Sequence, residues 1–155
     1  MENSQEMAFN IFLDSFKKNV SKVGFKNTIQ KDYILKTLYL SKKHLTADDI
    51  FLEIKKKYNM SVGMATIYNA IKFLHEMHLV NLLNIGDGTI RYEFNHEIHH
   101  DHLICTNCSS IIEFTDEIIE EQQNTIAKKY DFYLKEHIMI LYGICEKCQK
   151  VDSNS

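Results

Sequence analysis

The chain has 155 residues, of which 45% are apolar and 25% are charged, and its formal net charge is −3. This composition is ordinary for a globular protein and argues against a disordered chain. The sequence has no run of 18 apolar residues, and its start is too polar and acidic for a signal peptide, so we expect a cytoplasmic protein without a membrane span. Thiols stay reduced in that compartment, so the four cysteines favour a metal site over disulfides.

Charge and metal-ligand residues divide the chain into two parts. Residues 1–84 carry 12 Lys against 8 acids, a net of +4, and residues 85–155 carry 6 Lys and Arg against 13 acids, a net of −7. All four cysteines and five of the eight histidines lie in the second part. A basic half without cysteine and an acidic half rich in possible ligands predict two domains, 1–94 and 95–155.

Apolar periodicity and capping residues in the first domain predict four helices followed by a strand, a turn and a strand. In chain order, a helix over 9–20 ends by Gly24, and Thr28 caps a second helix. A capping-box sequence at Thr46 begins a third helix, which runs through Lys57, and a fourth helix lies near 62–77. Strands over 80–85 and 90–94 follow. Helices followed by a two-stranded wing predict a winged helix-turn-helix.

The fourth predicted helix has one apolar face and one polar face. The apolar face holds Ile67, Ala70, Ile71 and Leu74, and the opposite face holds Ala65, Tyr68, Asn69 and Lys72. A recognition helix would present the second set to a DNA major groove. The lysines that would contact phosphates are Lys17, Lys18, Lys22, Lys26 and Lys31. Because +4 is a weak basic signal, a solvated helix face with scattered surface lysines is the alternative.

Two paired-cysteine motifs frame most of the second domain. Cys105-x2-Cys108 and Cys145-x2-Cys148 can each supply two thiolates to a tetrahedral Zn²⁺. The residues between them predict a strand over 111–114, a helix over 116–129 and a strand over 132–142, a crossover that can bring the second pair beside the first. Four-thiolate structural zinc is the favoured interpretation, and two disulfides or free core thiols are the alternative.

A run of metal-ligand residues, His99-His100-Asp101-His102, precedes the first cysteine pair. If this run is extended, His100 and His102 face one side and His99 and Asp101 the other, so one strand would serve two metal sites. Candidate partners from elsewhere are His44, Glu93, Glu113, Glu120 and His137. The alternatives are a solvated histidine cluster and an adventitious nickel-type site.

A competing motif overlaps this run, because His96-Glu97-x-x-His100 fits the zinc metallopeptidase pattern. That chemistry needs a helix, so that both histidines share one face, whereas here the motif lies between two strand-like runs. A peptidase is therefore the disfavoured alternative. A zinc-stabilised interaction module that never contacts DNA is a third interpretation.

Three motifs together carry a family resemblance: Gly63-Met64-Ala65-Thr66-Ile67-Tyr68, His99-His100-Asp101-His102-Leu103-Ile104-Cys105-x2-Cys108, and Cys145-x2-Cys148. In these the chain resembles the ferric uptake regulator family of bacterial metal-sensing transcription factors, from about Phe16 to Cys148. The resemblance implies an α+β protein, with an N-terminal winged helix-turn-helix DNA-binding domain and a C-terminal α/β dimerisation domain.

Position by position, the resemblance implies three metal sites and a set of DNA-binding residues. The structural zinc ligands are Cys105, Cys108, Cys145 and Cys148. The regulatory ligands are His44, Glu93, His100, His102 and Glu113. The additional site comprises His99, Asp101, Glu120 and His137. The DNA-binding residues are Lys22, Ala65, Thr66, Tyr68, Asn69 and Lys72.

The implied function is that of an iron-responsive repressor of iron-uptake genes rather than an enzyme. It would bind an AT-rich palindromic DNA operator as a homodimer or a tetramer, with structural Zn²⁺ and regulatory Fe²⁺, for which Mn²⁺ or Zn²⁺ can substitute. Glu93 and Glu113 stand where peroxide-sensing relatives typically carry Asp, which favours an iron sensor over a peroxide-sensing or zinc-uptake regulator.

The sequence departs from the family pattern in its expected DNA contacts. The family commonly has Arg at the position of Asn69, and a Gln-Arg pair where this chain has Gln30-Lys31. Since Asn and Lys do not reproduce the bidentate contact of Arg with guanine, base specificity, and with it the operator, is expected to differ. Asn69 either reads adenine or contacts only the DNA backbone.

Overall fold

The computed structural model describes residues 2–21, 26–96 and 99–152, and the chain divides into two compact units, Met1–His96 and Glu97–Ser155. Gly24, the expected end of the first helix, lies outside the described residues. Among the described residues, no helix has the length and apolar character needed to cross a membrane.

The first unit contains four helices, as the periodicity predicts. They are α1 (Glu2–Val20), α2 (Ile29–Leu40), α3 (Ala47–Tyr58) and α4 (Met64–Glu76). The hydroxyl of Thr28 accepts a hydrogen bond from the Lys31 N–H. Thr46 and Asp49 form a complete capping box, in which each side chain accepts from the other residue's N–H, so the predicted start of α3 is confirmed.

Apolar faces of these helices form the core of the first unit, with Ile34, Ile50 and Ile67 fully buried. Helix α1 begins at Glu2 rather than near Phe9, because its first two turns are polar and therefore show no apolar periodicity. Phe9 is nonetheless buried, and its ring lies 5.2 Å from that of Tyr39 in α2. Gly63 precedes α4, so this helix starts two residues later than predicted.

The hairpin after α4 consists of β1 (Val80–Asn84) and β2 (Ile90–Phe94), paired antiparallel. Gly86 and Gly88 in the turn have φ values of +84° and +80°, which side-chain-bearing residues rarely adopt. The backbones of Leu45 and Tyr92 exchange two hydrogen bonds of 2.9 and 2.7 Å, which ties the segment before α3 to the hairpin. This arrangement of helices and hairpin is the predicted winged helix.

The second unit has a three-stranded sheet and two helices. These are β3 (Asp101–Cys105), β4 (Ile111–Phe114), α5 (Glu117–Lys129), β5 (Ile140–Gly143) and α6 (Glu146–Asp152). Strand β3 is central, antiparallel to β4 and parallel to β5. Asp116 caps α5 by accepting from the N–H groups of Ile118 and Ile119. Ile104 and Cys105 are the buried apolar side chains among this unit's described residues, so its core is thin.

One element of the sequence prediction is wrong. The predicted strand over 132–142 is reduced to β5, and residues 132–139 have no regular structure. Strand β3 pairs with β5 only through 102–105, and this pairing begins where the His102 N–H donates to the Met139 carbonyl at 3.2 Å. His137 therefore lies in the irregular connection before β5 and not on a strand.

Candidate metal centres and nucleic-acid interface

The four cysteines of the chain come together in the second unit. Cys105 ends β3 and is the register partner of Gly143 in β5, so Cys145 emerges beside it. Cys145 and Cys148 bracket the start of α6 and share one side of its first turn. The four Sγ atoms all lie within 4.8 Å of one another, and all four cysteines are free. The crossover thus brings together the two pairs that are 36 residues apart in sequence.

The thiols in this cluster are polarised by one another and by the backbone. The backbone N–H of Cys145 donates to Cys105 Sγ at 3.3 Å, and this contact, together with the backbone N–H groups of Cys108 and Asn107, lowers the pKa of Cys105 to about 6. The neighbouring thiols of Cys145 and Cys108 raise the pKa of Cys148 to about 12. The hydroxyl of Ser110 lies 3.3 Å from Cys108 Sγ and lowers the pKa of that thiol. Four converging sulfur atoms fit a tetrahedral zinc ion.

A second cluster surrounds Asp101 in the same unit. One ligand atom from each of His99, Asp101, Glu120 and His137 lies within 4.8 Å of the others. The two imidazole Nε2 atoms are 2.7 Å apart and lie 3.4 and 3.3 Å from Asp101 Oδ1. Asp101 is fully buried, yet neither of its carboxylate oxygens has a hydrogen-bond partner. A buried carboxylate that makes no hydrogen bond is costly, and a divalent cation held by Asp101 and the imidazoles beside it would satisfy it.

A histidine–glutamate pair lies within the first unit. His44 Nε2 is 2.9 Å from Glu93 Oε2, and their side chains are only 6% and 13% exposed. The backbone bridge between Leu45 and Tyr92 holds the two residues side by side. Asn81, the register partner of Glu93, donates from Nδ2 to Glu93 Oε1 at 3.4 Å. Contacts within this unit therefore help to hold both side chains of the pair.

The other expected regulatory residues lie in the second unit. The rings of His100 and His102 have centroids 5.0 Å apart. Glu113 is the register partner of His102 across β3 and β4, but its side chain is exposed. His100 and His102 are grouped apart from His99 and Asp101, whose ligand atoms belong to the second cluster. Asp101 and His102 begin β3 and face opposite sides of the sheet, whereas His99 and His100 precede the strand, so the expected extended run is a strand only in its second half.

Helix α4 presents a polar face to solvent. Ala65, Tyr68, Asn69 and Lys72 are exposed and Thr66 is half-buried, whereas Ile67, Ala70, Ile71 and Leu74 are buried. The predicted division of the helix into two faces is thus confirmed. Lys22 lies outside the described residues. Two of the other lysines that were expected to contact phosphates have partners within the unit. Lys17 Nζ forms an ion pair with Asp32 at 2.6 Å, and Lys31 Nζ donates to the Lys26 carbonyl.

The overlapping peptidase motif lacks its helix. His96, His99 and His100 lie in irregular segments, and Glu97 lies outside the described residues. The His96 ring instead packs 5.2 Å from the ring of Tyr39 and 4.9 Å from that of Phe94. Among the described residues of the motif, nothing provides the shared helical face on which metallopeptidase chemistry depends.

Some residues beside these clusters carried no recognisable sequence signal. Asn81 and Ser110 each contact an expected ligand, but an isolated amide or hydroxyl is unremarkable until strand register and turn geometry are known. The backbone pairing of Leu45 with Tyr92 is likewise invisible in sequence, because it depends on main-chain atoms alone.

Comparisons of sequence and of structure with known proteins all point to one family. The family model described as "Ferric uptake regulator family" matches residues 22–142. A ferric uptake regulation protein of Campylobacter jejuni is 41% identical over 145 residues, covering 93% of this chain and 92% of the relative. One from Campylobacter upsaliensis is 41% identical over 149 residues, covering 96% and 94%. The structure of the Helicobacter pylori ferric uptake regulator, reported to reveal three functional metal-binding sites, has a TM-score of 0.83 at 33% identity, with 91% and 93% coverage.

Proposed function

Since the chain belongs to the ferric uptake regulator family, whose members are transcription regulators and not enzymes, we propose that it is an iron-responsive repressor that binds operator DNA as a homodimer. The observation that carries the proposal is the buried His44–Glu93 pair inside the unit that holds α4. A metal that only stabilised the second unit would need no ligand from the first. Metal ligands on the DNA-reading unit are what a metal-responsive switch requires.

The proposal assigns three roles to the three donor sets. Zn²⁺ bound by the four thiolates stabilises the second unit, whose core is thin. The regulatory ion is bound by His44, Glu93, His100, His102 and Glu113. Imidazole and carboxylate donors suit Fe²⁺ or Mn²⁺, and they also bind Zn²⁺, so metal selectivity depends on geometry and availability. The cluster of His99, Asp101, Glu120 and His137 binds a further divalent ion.

The switch follows from a ligand set shared between the two units. A metal held jointly by His44 and Glu93 on one side and His100 and His102 on the other restricts how the reading unit is oriented. A two-fold dimer must place its recognition helices about 34 Å apart, or a multiple of that, to enter successive major grooves. If metal binds only the competent state, then at 100 times its dissociation constant it favours that state by about 2.7 kcal/mol, roughly a hundredfold.

DNA contacts in this proposal come from the polar face of α4. Tyr68, which is 52% exposed, and Asn69 lie at the centre of that face, and Lys72 extends it by one turn. Ala65 and Thr66 lie in the first turn, where recognition helices approach base edges. Lys22 would add a phosphate contact. The expected operator is a palindrome, because a two-fold dimer reads two inverted half-sites, and the family resemblance adds the expectation that it is AT-rich.

The test is operator binding measured at fixed salt with Fe²⁺ or Mn²⁺ and then with a chelator. We expect tight binding with the metal and reversal by the chelator. Tyr68→Ala is the matched control, because it changes the DNA face and leaves every proposed metal ligand in place. Equal binding with and without metal would contradict the sensor. Activation by Zn²⁺ at concentrations where Fe²⁺ and Mn²⁺ have no effect would support a zinc-uptake regulator instead.

A further inference from the structure

Arginine, the residue that most often reads guanine, is nearly absent from this chain. The sequence contains a single arginine, Arg91, and it lies on β2 of the wing rather than on α4. Its guanidinium donates two hydrogen bonds to the carboxylate of Asp87 in the hairpin turn, from Nη2 to Oδ2 at 2.7 Å and from Nη1 to Oδ1 at 3.1 Å. The side chains are 16% and 30% exposed. The guanidinium N–H groups that would donate to O6 and N7 of guanine are therefore already hydrogen-bonded within the wing.

The polar face of α4 has a different chemistry. Asn69 is the only side-chain amide on this helix and the sixth of its thirteen residues, and it is exposed. A carboxamide matches adenine in the major groove, because its oxygen accepts from N6 and its nitrogen donates to N7. One turn earlier, Ala65 and Thr66 present methyl groups of the kind that contact the thymine methyl. The N-terminal half of the helix thus offers partners for A·T pairs.

We infer that Asn69 is the residue of α4 that determines base specificity, and that it selects adenine in each operator half-site without any arginine–guanine contact. This inference rests on the proposed function, since it takes for granted that α4 enters the major groove. It adds the identity of the reading residue and the base that it reads. A bidentate amide–adenine pair discriminates against the wrong base by about 5- to 150-fold.

The test measures base preference rather than affinity alone. The metal-loaded wild-type protein and the variants Asn69→Ala and Asn69→Arg are each incubated with a pool of palindromic duplexes in which every position of the half-site is varied. Bound DNA is then sequenced. We expect the wild type to require adenine at one position per half-site, and Asn69→Ala to lose that preference by about 5- to 150-fold at that position only. Asn69→Arg should move the preference there towards guanine.

Two further variants separate base reading from general effects. Arg91→Lys keeps the positive charge but loses the bidentate fork, and it should leave the base profile unchanged. Gln122→Ala, on α5 in the other unit, controls for removal of an exposed amide. An Asn69→Ala profile identical to that of the wild type at every position would overturn this inference alone, as would loss of the adenine preference in Arg91→Lys. Absence of metal-dependent binding by the wild type to any duplex would contradict the proposed function, and this inference with it.

Discussion

Replacing Asp101 by Asn should change stability in opposite directions with and without metal. In the wild type the carboxylate is fully buried, and neither oxygen has a hydrogen-bond partner. An unsatisfied buried polar group costs about 1–3 kcal/mol, and a charged one costs more. At a pH where His99 and His137 are neutral and form no ion pair with Asp101, the neutral amide of Asp101→Asn reduces that cost. The metal-free variant should then unfold at the same temperature as the metal-free wild type or at a higher one.

With metal bound, the wild type should instead be more stable than Asp101→Asn. At 100 times its dissociation constant, an ion bound at the Asp101 cluster stabilises the wild type by about 2.7 kcal/mol. Loss of a charged ligand should weaken binding at least 100-fold, because even the loss of an outer-shell partner costs about 10- to 100-fold. The variant then keeps only about 0.4 kcal/mol of that stabilisation. At about 2–4 °C per kcal/mol, metal should raise the midpoint of the wild type by about 5–9 °C more than that of the variant.

Thermal unfolding followed by circular dichroism measures both effects, in chelator and then at increasing Mn²⁺ or Zn²⁺. The difference between the two metal-induced shifts isolates this cluster, because the regulatory donors are intact in both proteins. Asp131→Asn, an exposed carboxylate after α5, is the matched control and should behave as the wild type. Equal metal-induced shifts in Asp101→Asn and the wild type would refute the metal assignment. A metal-free variant much less stable than the wild type would refute the cost assigned to the buried carboxylate.

Three further predictions concern the other clusters and the caps. Cys105→Ser should lose the roughly one zinc per chain that elemental analysis is expected to find, together with ordered structure in the second unit; zinc retained at full occupancy would place the ion at a histidine cluster. Thr46→Ala should lower the free energy of unfolding in urea by about 1 kcal/mol, and by more than Thr28→Ala, which removes a single cap hydrogen bond; a larger effect of Thr28→Ala would contradict this reasoning. His44→Ala should keep its zinc but lose the roughly hundredfold gain in operator affinity with Mn²⁺; an undiminished gain would exclude His44 from the switch.

Local signals in the sequence were enough to predict the first unit. The capping box at Thr46 and the two faces of α4 are set by residues three or four positions apart, so their geometry follows from helix periodicity. The turn at Gly86 and Gly88 is likewise local, because glycine tolerates the positive φ values found there. Helix α1 was predicted only in part, because its first turns bear polar residues.

The segment after α5 shows where local signals fail. Residues 132–134 and 138–142 are apolar or aromatic and have the propensity of a strand, yet only Ile140–Gly143 pairs with β3. A strand forms only where the chain runs alongside a neighbouring strand, and here the pairing with β3 begins at the hydrogen bond from the His102 N–H to the Met139 carbonyl. Strand propensity depends on the residue types alone, so it could not reveal over how many residues this segment pairs with β3.

The same contrast holds for the donor clusters. His100 and His102 belong to a different cluster from His99 and Asp101, and of these four only Asp101 and His102 lie on a strand, where neighbouring side chains alternate between faces. The absence of hydrogen bonds to Asp101, by contrast, depends on the side chains that enclose it, and sequence does not reveal these. The contact of Asn81 with Glu93 depends on the register of the hairpin. Residue types and spacing therefore predict possible ligands, and only the fold shows how each is held.

The central claim is that occupancy of the regulatory site and operator binding are thermodynamically coupled. Titrating a fluorescent operator duplex with protein at fixed salt, with saturating Mn²⁺ and then with chelator, gives the factor by which metal strengthens DNA binding. Titrating metal into the zinc-loaded protein with and without saturating duplex gives the factor by which DNA strengthens metal binding. Linkage requires the two factors to be equal, and we expect both to be about 100. A metal-independent affinity for DNA, with a coupling factor of one, would contradict the account.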